Sequence, residues 1–381
     1  MTDFDFLVDR TNTDSAKWGK YAGKDILPMW VADMDFLSPP EVIQALQQRV
    51  GHGVFGYAQP PEVLSGLIVD HLAQTYRWAI QPQWIVWLPG LVTGINVACR
   101  SVGSPGDAVV THVPVYPPFL TAPRFSDRNL QTFDMVCRKN RWLPDLEQME
   151  QAIDEKTRLF LLCNPHNPTG RAFTEKELTD MADLCLKHDL VVCSDEIHCD
   201  LVLEPGCRHL PLASLHPEIA DRTITLMAPS KTYNIPGLGC SFAVISNPSL
   251  KKRFTRAMQG IVPHVNALGY AAALAAYSHC DQWLKDLLLY LKANRDLVQN
   301  TIDGLDHLSM KPVEATYLAW IDARGCGVEN PQRFFEEHGV GLSDGADFGA
   351  PRYVRLNFGC TRKLLQSALD RMVHALSAGK P

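Results

Sequence analysis

Lys231 lies in the stretch APSKTYNIPGL (residues 228–238), flanked by Ser230 and Thr232, with Pro236 and Gly237 just beyond and an apolar, β-branched run just before it. A lysine at the carboxyl edge of a strand, set among hydroxyls, can be held against a phosphate and an aldehyde together. Taken alone it could equally be a solvated surface lysine. Asp195 is the first residue of SDEIH to emerge from another apolar run, where a carboxylate can pair with a protonated pyridine nitrogen; a helix N-cap or a metal carboxylate would look the same. Asn167 sits in the proline-punctuated turn CNPHNPTG (163–170) and could hydrogen-bond a ring hydroxyl oxygen, or simply belong to a rigid turn. In PGLVTGINVA (89–98) a Gly-containing turn precedes an apolar helix, so backbone N–H groups and the Thr93 hydroxyl form a candidate anion site. Tyr116, in VPVYPPF, could stack on a flat ring or be an ordinary core tyrosine. Arg355, in YVRLNFG, could clamp a carboxylate through two hydrogen bonds or be a surface strand arginine.

These residues belong to loops that follow different apolar runs, and the runs must be arranged so that the loops meet. Residues 108–112, 158–163, 190–194, 223–227 and 241–245 read as buried strands. Residues 175–188 read as a helix with Leu178, Met181, Ala182, Cys185 and Leu186 on one face, completing a βαβ unit. Such alternation predicts a mostly parallel sheet covered by helices, in which ligands bind beyond the carboxyl ends of the strands. Only there do the six stretches converge, and the chemistry they then share is that of pyridoxal 5'-phosphate (PLP), with Lys231 as its imine partner. After about residue 281 the pattern changes to a long helix (281–302), short strands at 317–321 and 354–357, and a final helix from Arg362, which reads as a smaller second domain. There is no internal repeat and no low-complexity linker.

The formal charge of −6 and the scattered basic residues argue against nucleic acid and anionic membranes as partners. The N-terminal sequence lacks a basic stretch followed by an apolar core, and no run of 18 uncharged apolar residues occurs, so a cytoplasmic protein is expected. The eleven cysteines are dispersed, often inside apolar runs, and read as free thiols; the closest cluster, Cys193, His198 and Cys199, is a poor zinc set, and no metal is expected.

MWVADMDF (29–36), HGVFGYAQPP (52–61), CNPHNPTG, SDEIHCDLV, PSKTYNIPGL, ATYLAWID (315–322) and YVRLNFG give the chain a further character. It resembles the fold type I PLP enzymes of the aminotransferase class I/II superfamily, and over nearly its whole length the MalY/PatB group of cystathionine β-lyases. The resemblance implies an α/β protein whose large PLP-binding domain, 47–282, holds a mostly parallel seven-stranded sheet. A smaller α+β domain would combine 1–46 with 283–381. It implies that Lys231 carries the cofactor as a Schiff base, Asp195 pairs with the pyridine nitrogen, Asn167 binds the ring oxygen and Tyr116 stacks on the ring. Ser230, Val92 and Thr93 match phosphate-binding positions, and Arg355 matches the α-carboxylate clamp. Tyr57 matches a tyrosine given by the neighbouring subunit, so an obligate homodimer with shared sites follows. Trp30, Tyr57, Tyr116 and Tyr317 are candidate walls of the substrate pocket. Two positions depart from the pattern: His198 stands where many aminotransferases have tyrosine, and Gly239 where many have a phosphate-binding arginine. The implied activity is α,β-elimination of L-cystathionine and other cysteine S-conjugates to a thiol, pyruvate and ammonia, within methionine and cysteine metabolism, with Lys231 also removing the Cα proton. The alternatives are a class I/II aminotransferase and an enzyme with an additional regulatory binding role.

Overall fold

The computed structural model describes residues 2–378. Its largest element is an eight-stranded sheet of Ile85–Leu88 (β1), Ala108–Val113 (β2), Asn129–Arg138 (β3), Arg141–Pro144 (β4), Thr157–Cys163 (β5), Val191–Asp195 (β6), Thr223–Met227 (β7) and Ser241–Val244 (β8). The spatial order is β1-β8-β7-β6-β5-β2-β3-β4. The five strands β7, β6, β5, β2 and β3 are parallel, β8 runs against both β7 and β1, and β4 runs against β3. Central parallel strands are covered on both faces, which is why TITLM in β7 is buried throughout and reads as one apolar run. The helix Glu175–Lys187 that connects β5 to β6 is set by a capping box between Thr174 and Glu177.

The resemblance implies seven strands and the structure has eight; β1, β3 and β4 are the three that the apolar runs of the sequence did not mark. The edge strand β4, only four residues long (RWLP), folds back on β3 through Lys139 and Asn140, both at positive φ (49° and 63°). Two consecutive left-handed residues make the tight hairpin turn that suits twisted strands.

A second, antiparallel sheet contains Ser309–Met310 (β9), Leu318–Asp322 (β10), Ser343–Asp344 (β11) and Tyr353–Asn357 (β12), in the order β9-β10-β12-β11. The helices Asp281–Asp303 and Arg362–Ala378 share its core through Leu287, Leu291, Val298, Leu365, Leu369 and Met372. The N-terminal segment joins this layer where Leu27–Pro28 pairs in parallel with Val340–Gly341.

Residues 29–36 then cross between the two sheets as an irregular strap. Asn357, at the end of β12, donates to the carbonyls of Val31 (2.6 Å) and Asp33 (2.7 Å). Asn234, in the turn after β7, donates to Met34 O (3.0 Å) and Phe36 O (2.8 Å) and accepts from Met34 N (2.9 Å). Arg10 bridges Asp33 and Asp35 at 2.6 Å each, and the fully buried Lys17 reaches Asp35 at 2.6 Å. No helix among the described residues is long and apolar enough to cross a membrane.

Candidate active site

The carboxyl ends of β2, β5, β6 and β7 open toward the strap, and most of the residues singled out from the sequence gather there. Lys231 lies in the turn after β7, closed by Tyr233 N–H to Pro229 O and Ile235 N–H to Ser230 O, both at 2.9 Å. Its amine donates to the carbonyl of Ala32 in the strap, and the Tyr317 hydroxyl donates to the same oxygen at 2.8 Å. Burial lowers the Lys231 pKa to about 8, with the positive charge of Arg355 adding to the shift and Asp33 and Asp195 opposing it.

Asp195, the last residue of β6, is 4% exposed and accepts a hydrogen bond from Ile197 N at 3.1 Å. Burial pushes its carboxyl up to about 7, against the lowering effect of that N–H and of Lys231. A buried carboxylate with so little compensation is a site that a cationic ring nitrogen would stabilise.

Asn167 and Arg355 are joined directly: Arg355 Nη1 donates to Asn167 Oδ1 at 2.9 Å. This leaves the amide nitrogen of Asn167 free to donate elsewhere. The other contacts of Arg355 are Trp30 O (2.9 Å) and Ser343 Oγ (3.3 Å), its guanidinium lies 4.7 Å over the Phe348 ring, and its Nε is buried without a partner. Burial lowers its pKa to about 10. A buried guanidinium with no carboxylate against it is poised for a carboxylate ligand.

Tyr116 is half-buried after β2, where its backbone N–H binds Asn167 O at 3.1 Å; burial raises its hydroxyl pKa. His198 is buried edge-on to Tyr317, with ring centroids 5.9 Å apart and Nδ1 unpartnered. Burial holds its pKa well below the ordinary value, with Lys231 and Arg355 adding to the effect.

The helix Leu91–Ser101 begins at Gly90 with no side-chain cap, which leaves the N–H groups of Leu91, Val92 and Thr93 without a helical acceptor. Val92 is exposed, while Thr93 and Ser230 are half-buried. Gly239 explains the missing arginine: it adopts φ +60°, and a Cβ there would lie 3.1 Å from the carbonyl oxygen of Pro89, which leads into this same turn. The backbone pocket is therefore packed directly against the position where the arginine would stand.

Two candidates lie apart from this cluster. Tyr57 is fully exposed in the irregular stretch 53–61 and does not enter the pocket of its own chain. The Trp30 ring faces Lys20 (5.0 Å) and donates to Lys17 O (3.1 Å), so what Trp30 brings to the cluster is its carbonyl.

Sequence reasoning assigned no role to the strap residues Ala32 and Asp33, to Asn234, or to Asp200. The motifs MWVADMDF, PSKTYNIPGL and SDEIHCDLV contain all four, but their work is done through backbone carbonyls and bonds to residues distant in the chain.

Residues 24–372 match the family of class I and II aminotransferases. The chain belongs to that family. Among relatives within and around it, cystathionine beta-lyase PatB of Bacillus subtilis (strain 168) is 36% identical over 98% of this chain and 100% of its own. The crystal structure of OvoB is 49% identical with a TM-score of 0.97, covering 99% of this chain and 100% of that one. Cystalysin from Treponema denticola, whose crystal structure contains PLP, is 32% identical with a TM-score of 0.95 over the full length of both chains. The fold is that of the type I PLP enzymes.

Proposed function

We propose that this chain is a PLP-dependent carbon–sulfur β-lyase that converts L-cystathionine and related L-cysteine S-conjugates to a thiol (homocysteine from cystathionine), pyruvate and ammonia. The observation that carries the reading is Lys231, a lysine whose pKa burial has brought to about 8, placed within electrostatic reach of a buried carboxylate and a buried arginine that has no carboxylate against it. The name of PatB, aligned along its full length, supports the lyase assignment within the family.

The residues present fit the cofactor. Lys231 would hold its aldehyde, Asp195 its ring nitrogen and Asn167 its ring oxygen, with His198 beside the ring and Tyr116 stacked on it. Ser230, Thr93 and the N–H of Val92 would hold its phosphate. When bound, PLP supplies an electron sink for negative charge at the substrate Cα. Arg355, held by its bonds to Asn167 and the Trp30 carbonyl and with no carboxylate against it, would bind the substrate carboxylate and so orient the amino acid. Once the incoming substrate amino group has displaced it from the aldehyde, the neutral Lys231 amine would take the Cα proton, and the resulting ammonium would be stabilised by the charges of Asp33 and Asp195. The strap and Tyr317 exclude water from the amine. Departure of the thiolate from Cβ leaves an enamine that hydrolyses to pyruvate and ammonia.

A class I and II aminotransferase would use the same grip, and L-cystathionine supplied without any keto acid separates the two. Continuous formation of pyruvate and homocysteine is expected. A single half-turnover would assign the chain to the transferases.

Three further features belong to this proposal. The exposed apolar residues Val54, Phe55 and Tyr57 support a homodimer in which Tyr57 completes the site of a second copy. The four-stranded sheet and its two helices support a division into 47–282 and 1–46 with 283–381. The enzyme is assigned to the cytoplasm.

A further inference from the structure

Asp200 lies beyond the pocket, after SDEIHC, and its side chain is only 4% exposed. Three groups from two other elements donate to it. Thr232 Oγ1, on the residue after Lys231, reaches Oδ2 at 2.8 Å; the Tyr76 hydroxyl reaches Oδ1, and His71 Nε2 lies 3.1 Å from the same oxygen. Thr232 is fully buried, so no water replaces this bond. His71 and Tyr76 both belong to the helix Glu62–Tyr76, and His71 is partly open to a cavity of about 430 Å³ that it lines with Asp200, Arg208 and Lys285. Burial raises the Asp200 pKa, but the bonds from His71, Tyr76 and Thr232 outweigh it and hold the carboxyl at about 2.

The same network reaches the other end of the site. Tyr76 packs edge-on against His209, with centroids 5.2 Å apart, and His209 Nε2 is 2.7 Å from Glu196 Oε2. Glu196 Oε1 accepts from Ser194 Oγ at 2.8 Å and from Leu212 N at 3.1 Å. Ser194 and Glu196 are the two neighbours of Asp195, and Thr232 is a neighbour of Lys231. One buried network therefore holds both chemical residues by the positions beside them, without touching either.

We propose that Asp200 is a positioning residue: through Thr232 it fixes the turn that carries Lys231 and keeps the lysine amine in register with Asp195. The need for it is physical. The lysine side chain must swing free and return during each turnover, and only a turn pinned from outside can keep its backbone still meanwhile. This inference rests on Lys231 being the imine-forming residue.

The test uses the full-length enzyme and the variants Thr232→Val, Asp200→Asn and their combination, with Thr232→Ser as the conservative control. Each is read by the rate at which apoprotein and PLP form the imine absorbance band, and by kcat and KM on L-cystathionine. Thr232→Val is expected to slow imine formation and lower kcat roughly tenfold with KM little changed, and Thr232→Ser to restore both. The double variant is expected to be no worse than Asp200→Asn alone, because the two act along one connection. Wild-type imine rates and kcat in Thr232→Val, with only a lower melting temperature, would overturn the proposal, as would effects that multiply in the double variant. Should Asp200→Asn fail to fold, the Thr232→Val and Thr232→Ser pair decides alone. Failure of the wild-type protein to form any imine band would instead overturn the reading of Lys231 itself.

Discussion

Burial pushes Asp195 and Lys231 toward their uncharged forms, and each shift has a measurable consequence. The folded pKa of Asp195, about 7, lies above the ordinary carboxylate value, so its contribution to apoprotein stability is fully present below about pH 4 and is lost as pH rises through 7. Asp195→Asn should therefore stabilise the apoprotein at pH 8 by on the order of 3 kcal/mol and have little effect at pH 4, as read by denaturant unfolding. The same variant should bind PLP more weakly and lose most turnover, because the ring nitrogen then has no anionic partner. Lys231 is shifted the other way for a base. The rate at which apoprotein captures PLP should rise through about pH 8 and level off above it, and a rise that continues to the usual lysine range would contradict the assigned burial. Arg355→Ala should raise KM about 10- to 100-fold, the worth of a charge-assisted pair, in steady-state assays with L-cystathionine. The residue types that meet in the pocket were readable in the chain because lysine, aspartate, asparagine and arginine each stood just beyond or within an apolar run. The bond between Arg355 and Asn167 was not, since it joins residues 188 positions apart that only the packing of one sheet against the other brings together.

At the level of elements, the strap 29–36 closes the site, and it has no regular hydrogen bonding of its own. Asn234 binds it through three hydrogen bonds from a left-handed conformation (φ 54°), which asparagine tolerates better than most residues. Asn234→Ala removes those bonds and adds backbone strain, so a loss of roughly 2–4 kcal/mol in unfolding free energy is expected, along with reduced kcat. The long buried strands and the amphipathic helix 175–187 were legible to within one or two residues, because parallel strands covered on both faces are apolar throughout. The hairpin strand β4 and the two-residue strands β9 and β11 were not, because their sequences carry little apolar periodicity and their pairing comes from neighbours. Similarly, MWVADMDF stood out as a motif, yet its function as a strap is invisible in sequence. It acts through the Ala32 carbonyl and through anchors supplied by Asn234, Asn357, Arg10 and Lys17.

For the whole molecule, the central sheet and the smaller sheet face each other across the strap, and the site takes residues from both. The proposed dimer adds a third contributor. Tyr57→Ala and Lys231→Ala proteins, each inactive alone, should regain activity when unfolded and refolded together, since a hybrid dimer holds one intact site; no recovery would place Tyr57 outside the partner's pocket. The account as a whole depends on a covalent link between Lys231 and the cofactor, and the direct measurement is borohydride reduction of the holoenzyme followed by peptide mapping. The expected result is a reduced pyridoxyl group on the peptide containing Lys231 and nowhere else. A label on another residue, or none, would contradict it.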